Sequence, residues 1–163
     1  MQEKITKIIS FSLYSLIGLL LIRCGSEWRE FTFTKTKPEK SNLIGTWVPT
    51  SATLKDMQNR GKYSISKHEL ILRGDGSFSL INMPDWWADG FGVSKKGFES
   101  GSGTWDLIQE DQGILGKTWE VKLDFPNYWT SLNLLHQAPP YLIHIYIGDP
   151  DSGNAMIFER EKK

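Results

Sequence analysis

The chain has a single cysteine, Cys24, in 163 residues, so no internal disulfide can staple it. Stability must come from a packed core. A long apolar run is also missing. The stretch from Ile8 to Ile22 is broken only by serines, Tyr14 and Gly18, yet falls short of the roughly 20 residues a membrane helix needs. There is no excess of either charge, with 19 Lys+Arg against 19 Asp+Glu. That balance excludes the electrostatic footprint of a nucleic-acid binder. The residues of conventional catalysis are sparse as well. His68, His136 and His144 lie far apart with no metal-ligand spacing, and read as surface or barrel-wall residues. No serine sits in a G-x-S-x-G elbow, and Gly101–Ser102–Gly103 lacks the following helix of a phosphate cradle. Asp149 to Asn154 looks like a fragment of a calcium loop. Its glycine falls one place early and Arg160 stands where the bidentate Glu belongs, so it reads as a turn. No repeat or low-complexity segment is present. Neither a cofactor, nor a metal, nor an enzymatic activity is expected.

What is present begins with an address. Lys4 and Lys7 precede the apolar stretch, the arrangement of a signal peptide. Leu21–Ile22–Arg23–Cys24 follows, and here the sequence resembles bacterial lipoprotein precursors, whose lipobox ends in a lipidated cysteine. Arg23 departs from the small residue usual before that cysteine. The resemblance implies cleavage before Cys24, a lipid on its sulfur and attachment to the envelope membrane through that lipid. Gly25 after the cysteine points, by analogy, to the outer membrane. An uncleaved anchor and ordinary secretion are the alternatives. Cleavage removes Lys4, Lys7, Arg23 and Glu3, which leaves 16 basic against 18 acidic residues. The expected organisation is a signal peptide at 1–23, a lipidated cysteine and flexible tether at 24–41, and one domain at 42–163. Within the tether, the alternation of Trp28 to Phe33 offers an edge strand.

The domain has mostly period two. Trp119, Val121, Leu123 and Phe125 alternate with Glu120, Lys122 and Asp124, the pattern of a half-buried strand. Leu70 and Leu72 precede Arg73–Gly74–Asp75–Gly76, and Phe78 and Leu80 follow, which predicts a hairpin. Further strands are expected at Leu43–Val48, around Trp105 and Leu107, at Leu132 and Leu134, across 141–147, and around Met156 and Phe158. One helical segment interrupts them, from an N-cap at Ser51 to a stop at Gly61. The fold class is therefore all-β: an antiparallel up-and-down barrel of about eight strands, or a related sandwich, with one short helix after the first strand.

Gly45–Thr46–Trp47 opens the first strand and Phe158–Glu159–Arg160 closes the last. This arrangement resembles the lipocalin (calycin) pattern of an early G-x-W and a late Arg, and "LRGDGSF" and "SGTW" are similar to segments of lipocalin-like bacterial lipoproteins. The resemblance implies that Gly45, Trp47 and Arg160 close one end of the barrel, with the guanidinium across the indole. It carries a structural role and no ligand. The T-D-Y-like loop and the disulfides usual in that family are absent.

The most unusual stretch is Met83 to Phe98, where Trp86, Trp87, Phe91 and Phe98 lie among glycines at 90, 92 and 97. Long connections in compact domains are commonly functional. These aromatics form either a rim over the barrel mouth or a plug within it, and Tyr128 and Trp129 are candidates for the same rim. Two functions follow. One is a lipid-anchored binder of a small apolar ligand held in the barrel. The other is an interaction lipoprotein with a filled barrel, which docks an envelope partner through its aromatic loop. An interior cavity distinguishes them.

Overall fold

The structure, a computed structural model, describes residues 32–59, 67–84, 98–113, 116–146 and 155–162. Cys24, Trp28, Trp86, Trp87, Phe91, the glycines at 90, 92 and 97, the stop at Gly61 and the turn 149–154 lie outside the described residues. After a single 3-10 turn at Lys40–Asn42 come β1 (Gly45–Pro49), α1 (Ser51–Asn59), β2 (Glu69–Leu72), β3 (Ser77–Pro84) and β4 (Phe98–Asp111). They are followed by β5 (Lys117–Asp124), β6 (Trp129–Leu135), β7 (Leu142–Tyr146) and β8 (Ala155–Arg160).

Each strand pairs antiparallel with the next, and β1 pairs with β8, so the eight strands form a closed up-and-down barrel. Closure leaves no open edge between β1 and β8. The register explains the period-two pattern. Trp47 faces Leu70, Leu70 faces Leu80, Trp105 faces Leu123, Val121 faces Leu132, and Leu134 faces Ile143, which faces Phe158. All of these point inward and are almost wholly buried, with Leu72, Phe78, Ile145 and Met156 completing the interior. A register shift between Leu80 and Met83 returns Met83 to the interior; within it Asn82 takes a positive φ of 49°. Asn tolerates that conformation better than most residues.

Gly103 shows how tightly the wall is built. A Cβ there would collide with the Asp124 carbonyl and lie 2.9 Å from the Phe78 ring. A glycine in mid-strand is explained by that close approach.

Two local features differ from the sequence expectation. The helix is capped by Thr50, not Ser51: Thr50 Oγ1 accepts from the Thr53 amide at 3.3 Å, and Ser51 is the first helical residue. The second concerns the tether expected at 24–41. From Thr32 onward this segment belongs to the barrel unit. Phe33 bridges Leu135, Thr34 donates its amide to Leu134 O at 2.9 Å, and Thr34 O accepts from the Trp119 amide at 2.7 Å. The segment thus fills the gap where the start of β5 and the end of β6 diverge beyond the Glu120–Asn133 pair. Thr34 is fully buried, with its hydroxyl on His136 O at 2.6 Å. Composition made this segment look like a linker; its backbone groups, which composition does not report, are what hold it.

Candidate functional site

The exposed aromatic surface is built from the β5–β6 turn. Phe125 donates its amide to Tyr128 O at 2.8 Å, closing a tight turn through Pro126 and Asn127. Phe125 meets Phe78 edge-on at 4.9 Å, which fixes the ring to the core. Tyr128 stacks on Phe125 at 4.4 Å and 10° between planes. The residue is nonetheless 46% exposed. Partial burial and the Glu99 carboxylate raise the Tyr128 phenol above its usual pKa. Trp129 is 58% exposed, with the Lys122 ammonium 5.3 Å from its ring centre and that ammonium paired to Asp124 at 2.8 Å. Phe98, the first residue of β4, is half exposed and lies tilted against the buried His68 ring at 5.4 Å. Both rings lie at the β5–β6 end of the barrel, Tyr128 over the core-packed Phe125 with Glu99 near its phenol, and Trp129 on the outer face of β6 beside Asp124. Trp86, Trp87 and Phe91 fall outside the described residues.

The opposite end of the barrel holds the residues of the lipocalin-like pattern. Trp47 is 1% exposed and donates its indole N–H to Leu43 O at 2.9 Å. Arg160 stands opposite Trp47 in the β1–β8 register. Gly45 takes φ +148°, and a Cβ there would lie 2.8 Å from Arg160 Nε, so the guanidinium lies across the glycine. Two cation–ring contacts from the docked segment flank this end: Lys37 over Trp119 at 5.1 Å and Lys40 over Trp105 at 5.0 Å. Between them is a half-open cleft of about 380 Å³, lined by Lys37, Pro38, Glu39, Lys40, Asp106 and Leu107. Lys40 pairs with Asp106 at 2.9 Å and holds its carboxyl below the usual range. Sequence reading missed this cleft because its tether residues looked free.

A second group was also missed. Glu120, Asn133 and His144 stand side by side on the outer face of β5, β6 and β7, all buried, with the buried Thr118 on the same face of β5. Gln112 Nε2 donates to Glu120 at 2.5 Å, and Phe33 and Tyr146 meet the His144 ring edge-on. Alternation placed Glu120 on the outer face. It gave no sign that Phe33 would meet His144 or that the group would be buried. Burial lowers His144 to a pKa of about 4, so the ring is neutral at pH 7. Among the described residues no three His, Cys, Asp or Glu side chains come together.

No protein family, curated protein or solved structure matches the chain.

Proposed function

We propose that the protein is an envelope lipoprotein, anchored through lipid on Cys24, whose filled lipocalin-like barrel is a non-catalytic module that docks an envelope partner. The observation that carries this reading is the contrast between interior and surface. Eight strands enclose a space that side chains can fill. Trp47, Phe78, Trp105 and Phe158 point into it, each at most 3% exposed. Large aromatics instead reach solvent at Tyr128 and Trp129, held from behind by Phe125 and Lys122. Rings fixed in place lose little freedom when a partner covers them, which favours affinity. A hollow barrel for a small apolar ligand is supported by the fold alone, and the large inward side chains weigh against it.

A photo-reactive residue at Asn127, beside the two rings, tests docking in intact cells. An adduct at 127 that is absent from a matched probe at Glu159 on the outer face of β8 supports the reading; equal labelling at both positions removes it. Intact mass of native protein tests the anchor, which requires an acyl adduct on Cys24 and no residues 1–23. A small apolar molecule released from the native protein by solvent extraction would favour the hollow barrel.

A further inference from the structure

Trp129 is continuous with a polar stretch of the outer wall. Across β3, β4, β5 and β6 the register aligns Ser77, Thr104, Asp124 and Trp129 in one row on the outer face. Beside it, Ser79 faces Ser102, and Asp106, Lys122 and Ser131 form the neighbouring row. Ser102, Thr104 and Trp129 are exposed, while Ser77, Ser79, Asp124 and Ser131 are partly so. Four strands place the ends of the first row about 14 Å apart, from strand spacings near 4.8 Å.

The outer wall of any barrel is polar, but three details set this one apart. Apart from Asp106, the side chains that β3 and β4 contribute to these rows are short hydroxyls, which keep that part of the wall shallow. Its long charged side chains are paired: Lys122 with Asp124 at 2.8 Å and Asp106 with Lys40 at 2.9 Å. The shelf therefore offers no uncompensated charge from these groups to a phosphate or a polyanion. It ends in an indole, where a water-facing strand position would ordinarily carry a polar residue.

We infer that this wall is a binding surface for an uncharged polysaccharide, lying along the row from Trp129 towards Ser77. The inference rests on the docking reading above and gives its partner a chemistry. A sugar ring presents C–H bonds on one face and hydroxyls around its edge. The C–H face stacks on the open side of Trp129, whose π-cloud attracts its slightly positive hydrogens. The edge hydroxyls then meet Asp124 as acceptor and Thr104, Ser102 and Ser77 as mixed donors and acceptors. Arg73, held on Ser79 at 2.8 Å, and Asp75, which accepts from Ser77 at 2.7 Å, supply further polar groups at the far end. A protein partner would require an apolar centre to its interface. Beyond Trp129 this wall provides hydroxyls and paired charges instead.

The test is a titration of the isotope-labelled protein with three neutral hexasaccharides: β-1,4-linked glucose, β-1,4-linked N-acetylglucosamine and α-1,4-linked glucose. At least one should shift the Trp129 indole signal and the amides of Asp124, Thr104 and Ser77 together. Trp129→Ala should weaken that binding about tenfold or more, as loss of a central aromatic contact commonly does. Thr104→Val should weaken it by a smaller factor, and Thr46→Ala on β1 should leave it unchanged. Circular dichroism checks that the variants fold. Shifts confined to other walls overturn the inference. If no hexasaccharide binds while the Asn127 probe still captures an adduct, the polysaccharide is wrong and docking stands. If both fail, both readings fall.

Discussion

The segment Thr32–Ser41 supplies the sharpest test of the fold. Sequence composition makes it a linker, whereas the structure makes it part of the wall. A chain beginning at residue 42 loses three backbone hydrogen bonds to the rest of the barrel: Thr34 N to Leu134 O, Trp119 N to Thr34 O, and His136 N to Thr32 O. It also loses the bond from Thr34 Oγ1 to His136 O at 2.6 Å and the Phe33 ring over His144. At about 1 kcal/mol net per hydrogen bond, the four bonds contribute about 4 kcal/mol. Partial burial of Phe33 adds about 1–2 kcal/mol. The ordering of the segment offsets part of this, so we expect a net loss of about 3–5 kcal/mol. Domains of this size are stable by only about 5–15 kcal/mol, so the shorter chain should lie near the edge of folding. Urea denaturation of chains 25–163 and 42–163, followed by circular dichroism, measures the difference. Thr34→Val in the longer chain isolates the hydroxyl and should cost about 1–3 kcal/mol, since the His136 carbonyl loses its partner. Equal midpoints for the two chains would show that the segment only rests against the barrel, and the reasoning from buried backbone pairing would be wrong.

Three other outcomes follow from the geometry. His144 has a folded pKa of about 4 against 6.5 for the free side chain. The unfolded chain therefore takes up its proton first as pH falls, and stability is lost between about pH 6.5 and 4, by up to about 3 kcal/mol. Denaturation midpoints at pH 7 and pH 4.5 should show that loss, and His144→Gln should reduce it; an unchanged slope would separate the acid response from this ring. Trp47→Ala leaves a cavity in the core and removes the indole donor from Leu43 O, and should cost about 3–5 kcal/mol in thermal or chemical unfolding; a loss below about 1 kcal/mol would refute its place in the packed interior. Gly103→Ala drives a methyl into the Asp124 carbonyl and the Phe78 ring, and should destabilise by about 1–3 kcal/mol. A neutral result there would mean that β4 and β5 can separate without penalty.

The sequence by itself determined the all-β class, the approximate strand count and the inward face of most strands. Those properties follow from period-two alternation, which depends only on the chirality and pleat of a strand. It likewise marked Gly45, Trp47 and Arg160 and the hairpin at Gly74–Gly76, because local patterns and turn chemistry are carried by neighbouring residues. The exposed pair Tyr128 and Trp129 was legible as a candidate for the same reason, since aromatics in a Pro-containing turn are visible in one short window. The tertiary structure alone decided which strand faces which, and so which distant side chains share a row. Ser77 and Trp129 join one wall because four strands are in register, a relation no local window contains. It also decided that Thr34 is buried and that Glu120, Asn133 and His144 are covered. Burial depends on what packs on top, and over His144 that includes Phe33, a residue more than 100 positions away along the chain.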